Sequence, residues 1–93
     1  MPLKFEWDAR KTRANLVKHG VSFEEAATVF GDSRSLTIPD PAHSVTEARS
    51  ITLGRTDAGR MLVVVHTERG DQLRLISARP ASRAERKTYE DKH

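Results

Sequence analysis

One apolar run sits between two turn signals, and that arrangement limits what the chain can become. The run is Met61-Leu62-Val63-Val64-Val65. Thr56-Asp57-Ala58-Gly59 precedes it and Glu68-Arg69-Gly70-Asp71 follows it. A short run of this kind, rich in β-branched residues and bounded by Gly and Asp, reads as a buried strand. Residues 47–54 and 72–78 read as strands on either side of it. Strands joined by turns this short must be antiparallel. Residues 60–67 are therefore predicted to be the central strand of a meander, with a further strand at 35–38 closed by Pro39-Asp40-Pro41.

The N-terminal third has a different period. Residues 3–7 alternate as a short strand. Asp8 is a helix N-cap, and the helix it starts is predicted to end near Lys18, with Gly20 as left-handed C-cap. Ser22 and Glu25 have the spacing of a capping box, with Val21 placed to staple against Ala26. Phe23, Ala26, Ala27 and Phe30 recur at helical spacing, so a second helix buries one stripe before Gly31-Asp32 stops it. At the other end Ser82 and Glu85 form another capping box, opening a helix over 83–91. The predicted order is β-α-α-β-β-β-β-α. This is an α+β architecture: two N-terminal helices packed on one face of a mainly antiparallel sheet of four to five strands, then a C-terminal helix. At 93 residues the chain is expected to be one domain spanning 1–93.

Composition excludes several classes. There is no cysteine, so neither a disulfide framework nor a thiolate metal site is available. His19, His43, His66 and His93 share no i, i+3 or i, i+4 spacing, and no metal or other cofactor is expected. No Gly-rich phosphate loop or nucleophile elbow occurs. The first residues contain no apolar stretch of the signal-peptide kind, and no run approaches a membrane span. A cytoplasmic location without membrane contact is the expectation.

The net charge is +3. Residues 1–33 hold five Lys/Arg and five Asp/Glu, while residues 34–93 hold eleven against eight, which is the whole excess. Nine of those eleven are Arg, the side chain whose planar fork suits phosphate. An arginine-rich codon bias would produce the same count. Alternation puts Glu47, Arg49, Ile51 and Leu53 on one face of their strand, and Leu73, Leu75, Ser77 and Arg79 on one face of the last. Charged groups thus extend apolar stripes, and Arg69 lies in the turn between strands. Two readings remain open: a structural ion pair at the sheet rim, or a cationic site with one carboxylate inside it.

Several blocks of sequence then carry a family likeness. They are Phe5-x-Trp7-Asp8-x-x-Lys11-x-x-x-Asn15, Lys18-His19-Gly20-Val21-Ser22-Phe23-Glu24-Glu25-Ala26, and Val29-Phe30-x-Asp32. Further on come His43-Ser44 with Glu47-x-Arg49, Gly59-Arg60-x-Leu62, and Ile76-Ser77-Ala78-Arg79 with Glu85-Arg86 and Tyr89. In these, collinear over nearly the whole chain, the sequence resembles the BrnT family of toxins. The resemblance implies a RelE-like fold and a ribonuclease toxin of a type II toxin–antitoxin pair that inhibits translation. It also implies a BrnA-type antitoxin with a ribbon-helix-helix domain as partner, and operator DNA contacted only through the toxin–antitoxin complex.

Metal-free RNA cleavage needs a base for the ribose 2′-hydroxyl, positive charge on the phosphate and an acid at the leaving oxygen. Arg49, Arg69 and Arg79 are candidates for the charge. Glu47 is the base candidate by position, with His43 the alternative in the loop before that strand. Lys11 and His19 on the first helix are candidates for RNA binding or for the acid, though Lys11 also reads as a solvated helix position. Trp7 is a candidate for stacking a base or a core residue. Tyr89 either reaches the site from the last helix or packs it. A non-catalytic module binding RNA or an antitoxin is the competing function. A direct DNA binder ranks last, since no recognition-helix signature is present.

Overall fold

A computed structural model describes residues 4–41 and 47–92. Its elements are β1 (Lys4–Glu6), α1 (Ala9–His19), α2 (Phe23–Ala27) running on into a 3-10 turn (Thr28–Gly31), β2 (Leu36–Pro39), β3 (Arg49–Arg55), β4 (Met61–Arg69), β5 (Gln72–Pro80) and α3 (Arg83–Asp91). Among the described residues three α-helices accompany one five-stranded sheet of order β1-β5-β4-β3-β2.

The sheet is mixed. β3, β4 and β5 pair antiparallel as their short turns require and β2 pairs antiparallel with β3, but β1 runs parallel to β5 through Lys4, Phe5 and Glu6. The strand expected to begin at Glu47 begins at Arg49, and the last strand continues to Pro80.

The caps form for the reasons the sequence suggests. Asp8 accepts from the backbone N–H of Arg10 and Lys11, and Gly20 closes α1 at φ 71°. Ser82 and Glu85 complete a reciprocal capping box. The expected box at Ser22 is only half made. Ser22 Oγ accepts from Glu25 N at 3.1 Å, but the Glu25 carboxylate turns away to Arg60, at 2.6 Å from Nη2 and 2.9 Å from Nε. An arginine fork outcompetes a single backbone N–H for a carboxylate. The exchange ties α2 to the β3–β4 turn and holds the Glu25 carboxyl below the usual carboxylate range, chiefly through Arg60.

Both faces of the sheet are covered, which corrects the one-sided arrangement. Leu62, Val64, Leu75 and Ala78 pack with Val21, Phe23, Ala26 and Val29 on the α1–α2 side. Leu53, Met61 and Val63 pack with Tyr89 of α3 on the other. Gly54 allows the first packing: a Cβ there would lie 2.8 Å from Val29 Cγ1 and 3.0 Å from Ser35 Cβ.

A bulge in β5 decides the rest. Val65 pairs with Ser77 but His66 pairs with Leu75, so Ile76 is the extra residue. Without it, Leu75 and Ala78, three apart, would face opposite ways. With it, both enter the same core, and Arg74 moves to the face that carries Ser77 and Arg79. The predicted grouping of Leu73 and Leu75 with Ser77 and Arg79 is therefore broken.

The outer edge of β5 beyond β1 is closed by a side chain. Asn15 of α1 donates from Nδ2 to Ala78 O at 2.7 Å and to Val21 O at 2.9 Å. Its Oδ1 accepts from Ala78 N at 3.1 Å. The amide substitutes for a missing strand and is itself buried.

Candidate functional site

The register places five arginines on the α3 face of the sheet, with Arg55 at the far end of β3 lying over the Tyr89 ring. Arg49 on β3, Thr67 on β4, Arg74 on β5 and Glu6 on β1 pair in sequence, so they form one row across four strands. Neighbouring strands are about 5 Å apart, which separates Arg49 from Arg74 by about 10 Å at Cα. Two arginine side chains are long enough to reach a phosphate set between them. Thr67, the floor between them, is 3% exposed and donates to Ala48 O at 2.6 Å. Arg69 lies two residues further along β4, about 7 Å down the strand.

Arg79 stands apart from this row. It pairs with Val63, four residues up β4 from Thr67, about 13 Å away along the strand. Arg69 and Arg79 are thus about 20 Å apart and cannot grip one phosphate together. The three arginines singled out from the sequence share a face but not a point on it. Arg74, which sequence reasoning passed over, fills the gap. Only the bulge at Ile76 brings it there, and no glycine or proline marks that bulge.

The ion pairs differ in kind. Arg69 and Arg74 each stand 3.8 Å from Glu6 Oε1, and Arg49 stands 3.9 Å from Glu47 Oε1. These are loose contacts that an incoming phosphate can replace. Arg79 is held bidentately by Glu85 at 2.8 Å and 2.8 Å. That pairing pushes the Glu85 carboxyl down to about 2 and raises the Arg79 guanidinium further.

Glu47 sits at the end of the sheet, in the bend before β3. Besides contacting Arg49 it lines a cavity of about 490 Å³ with Thr37, Ser50, His66 and Glu68. His66 is a core residue. It is 5% exposed, its Nε2 lies 2.7 Å from Thr52 Oγ1, and Phe30 meets its ring edge-on. Burial pushes its pKa down, favouring the neutral imidazole. His43, the other base candidate, lies outside the described residues.

The remaining candidates divide. Trp7 packs edge-on against Phe23 at 6.2 Å beside the α1–α2 core. Tyr89 is 7% exposed, and its hydroxyl donates to Asp32 Oδ2 at 2.7 Å, which anchors α3 to the loop after the 3-10 turn. Both occupy packing positions. Lys11 is exposed, and with His19 it lines a groove between α1 and β5. Among the described residues no three of His, Cys, Asp and Glu come together as a metal site, and no helix is long and apolar enough to cross a membrane.

Comparison with known proteins gives a direct result. Residues 7–85 match the family model described as the ribonuclease toxin, BrnT, of type II toxin-antitoxin systems. Among solved structures, the crystal structure of the Brucella abortus ribonuclease toxin BrnT is similar, with a TM-score of 0.68 and 25% sequence identity. The match covers 88% of this chain and 100% of that one. No curated protein matches.

Proposed function

The chain belongs to the BrnT family of ribonuclease toxins of type II toxin–antitoxin systems, and from that membership we propose that it is a metal-independent endoribonuclease acting at the arginine row of its sheet. The observation that carries this reading is the alignment of Arg49, Thr67 and Arg74 across adjacent strands on one face, with Glu47 beside Arg49.

In the proposed reaction Glu47, or His43 four residues before it in the sequence, removes the proton of the ribose 2′-hydroxyl. The 2′-oxygen attacks phosphorus, the bond to the 5′-oxygen breaks, the leaving 5′-oxygen takes up a proton from solvent water, and a 2′,3′-cyclic phosphate remains. The phosphate replaces Glu47 and Glu6 as the partner of Arg49 and Arg74, and the two guanidinium groups stabilise its growing negative charge. Arg69 below and Arg79 above hold neighbouring phosphates of the same strand. The positive charge thus comes from guanidinium groups, which keep their protons through the reaction.

The wider setting follows from the same reading. The fold is of the RelE-like kind and the protein acts in the cytoplasm, where RNA cleavage halts translation and growth. Its antitoxin partner is of the BrnA type with a ribbon-helix-helix domain. Operator DNA is contacted through that partner.

The test is cleavage of RNA in EDTA by wild type, Arg49→Ala, Glu47→Ala and Arg79→Ala, each shown to be folded. Wild type is expected to cleave. Arg49→Ala and Glu47→Ala are expected to lose kcat, and Arg79→Ala mainly to raise KM. Undiminished cleavage by Arg49→Ala and Glu47→Ala would overturn the residue assignment. Loss of wild-type activity in EDTA would overturn metal independence.

A further inference from the structure

α1 is the most one-sidedly charged element of the protein. Between its cap Asp8 and Gly20 it carries Arg10, Lys11, Arg13 and Lys18 and no acidic residue. Asp8 already accepts two backbone N–H groups. Lys11 and Lys18 are two turns apart, about 10.5 Å along the axis on one helix face. That face meets the outer edge of β5 where β1 no longer covers it, since the β1 pairing stops at Arg74. Between them runs a groove of about 250 Å³ with Lys11, Lys18 and His19 on one wall and Ile76 and Ser77 on the other.

Two features characterise this groove. Among the described residues, Arg49, Arg69, Arg74 and Arg79 each have a carboxylate within 4.0 Å, whereas no carboxylate lies within that distance of Lys11, Lys18 or His19. The groove's lysines are thus not held in a contact ion pair, and the nearest carboxylate to act on Lys11, Asp8, is occupied by two backbone N–H groups. The groove is also continuous with the site: Ser77 lies on the same sheet face as Arg74 and Arg79, at the strand that forms the groove's rim. A polyanion lying on the arginine face meets Lys11 and Lys18 as soon as it crosses β5.

We infer that the α1–β5 groove takes the phosphate backbone of the RNA strand as it leaves the sheet face, with Lys11 and Lys18 on successive phosphates and Ser77 at the crossing point. The inference rests on the ribonuclease reading and adds the strand's path to it. An acidic protein surface is the other class of ligand such charge attracts, but it would not need the groove to continue into the arginine face.

The experiment measures binding of a mixed-sequence 2′-O-methyl RNA 12-mer, which has no 2′-hydroxyl to react, across a salt series. Wild type is compared with K11Q/K18Q and with the charge-matched R10Q/R13Q, whose residues do not line the groove. K11Q/K18Q is expected to bind roughly tenfold more weakly and to flatten the log–log salt slope by about 1.4, two phosphate contacts on a single strand. R10Q/R13Q should change the slope by much less. An unchanged slope for K11Q/K18Q, or equal losses for both double variants, overturns the groove. Cleavage of unmodified RNA by the same preparations separates the two claims. Intact wild-type cleavage with no groove effect sinks the groove alone. A groove effect without any cleavage supports the groove and sinks the ribonuclease mechanism.

Discussion

Glu85 grips Arg79 through two parallel hydrogen bonds of 2.8 Å, while its Oε1 also accepts from Ser82 N at 2.7 Å. One carboxylate thus caps α3 and fixes the guanidinium at the end of β5. The orientation of Arg79 is set by the first turn of the helix that follows it.

This has a pH signature. The Glu85 carboxyl lies at about 2 in the folded chain against 4.5 for the free group, chiefly because of Arg79. A depressed folded pKa adds stability that is complete above about 4.5 and is lost as pH falls toward 2. Both partners are partly exposed, so solvent screening leaves roughly 1 kcal/mol. Urea denaturation at pH 7 and pH 3 is expected to lose correspondingly less stability in Glu85→Gln than in wild type. Identical losses would mean that the pair adds nothing.

Asn15 should be among the costlier polar positions to change. Asn15→Leu fills similar space but leaves the N–H and C=O of Ala78 without their partner inside the protein. Unsatisfied buried groups of this kind cost about 1–3 kcal/mol each, so a loss of about 2–4 kcal/mol in urea denaturation is expected. A loss near zero would show that water replaces the amide at that edge.

Tyr89 is the single tyrosine of the chain, so its ionisation can be followed by ultraviolet absorbance without ambiguity. Its hydroxyl donates to Asp32, whose negative charge raises the phenol above its usual value of 10.0. A raised folded pKa means stability that is whole at neutral pH and fades as pH climbs through the folded midpoint. The folded protein is expected to titrate later than the urea-unfolded chain, and Tyr89→Phe to leave RNA binding unchanged. Coincident titrations would remove the Asp32 contact.

Much of the fold was legible because it is written in local signals. Asp8, Gly20, Ser22 and Ser82 mark helix ends through their own backbone chemistry, and the two Gly-containing turns force β3, β4 and β5 antiparallel. What escaped is non-local. The parallel pairing of β1 with β5 joins Phe5 to Leu73, and no short-range pattern encodes it. Glu25 has box spacing, but Arg60, thirty-five residues on, takes its carboxylate. The candidate site suffered most from one residue. Strict alternation through β5 gave Arg79 the wrong companions and hid Arg74, because Ile76 bulges without a glycine to announce it. Tyr89 and Trp7 carry chemistry that looks functional, yet both pack.

The most direct measurement of the central claim is RNA cleavage by Arg74→Ala, folded by circular dichroism, beside wild type and the exposed-helix control Lys87→Ala. If the row of Arg49, Thr67 and Arg74 is where the phosphate reacts, Arg74→Ala loses roughly 10²-fold or more in kcat, the scale of one lost charge-stabilising donor. Lys87→Ala is unchanged. Cleavage by Arg74→Ala at the wild-type rate would contradict the account.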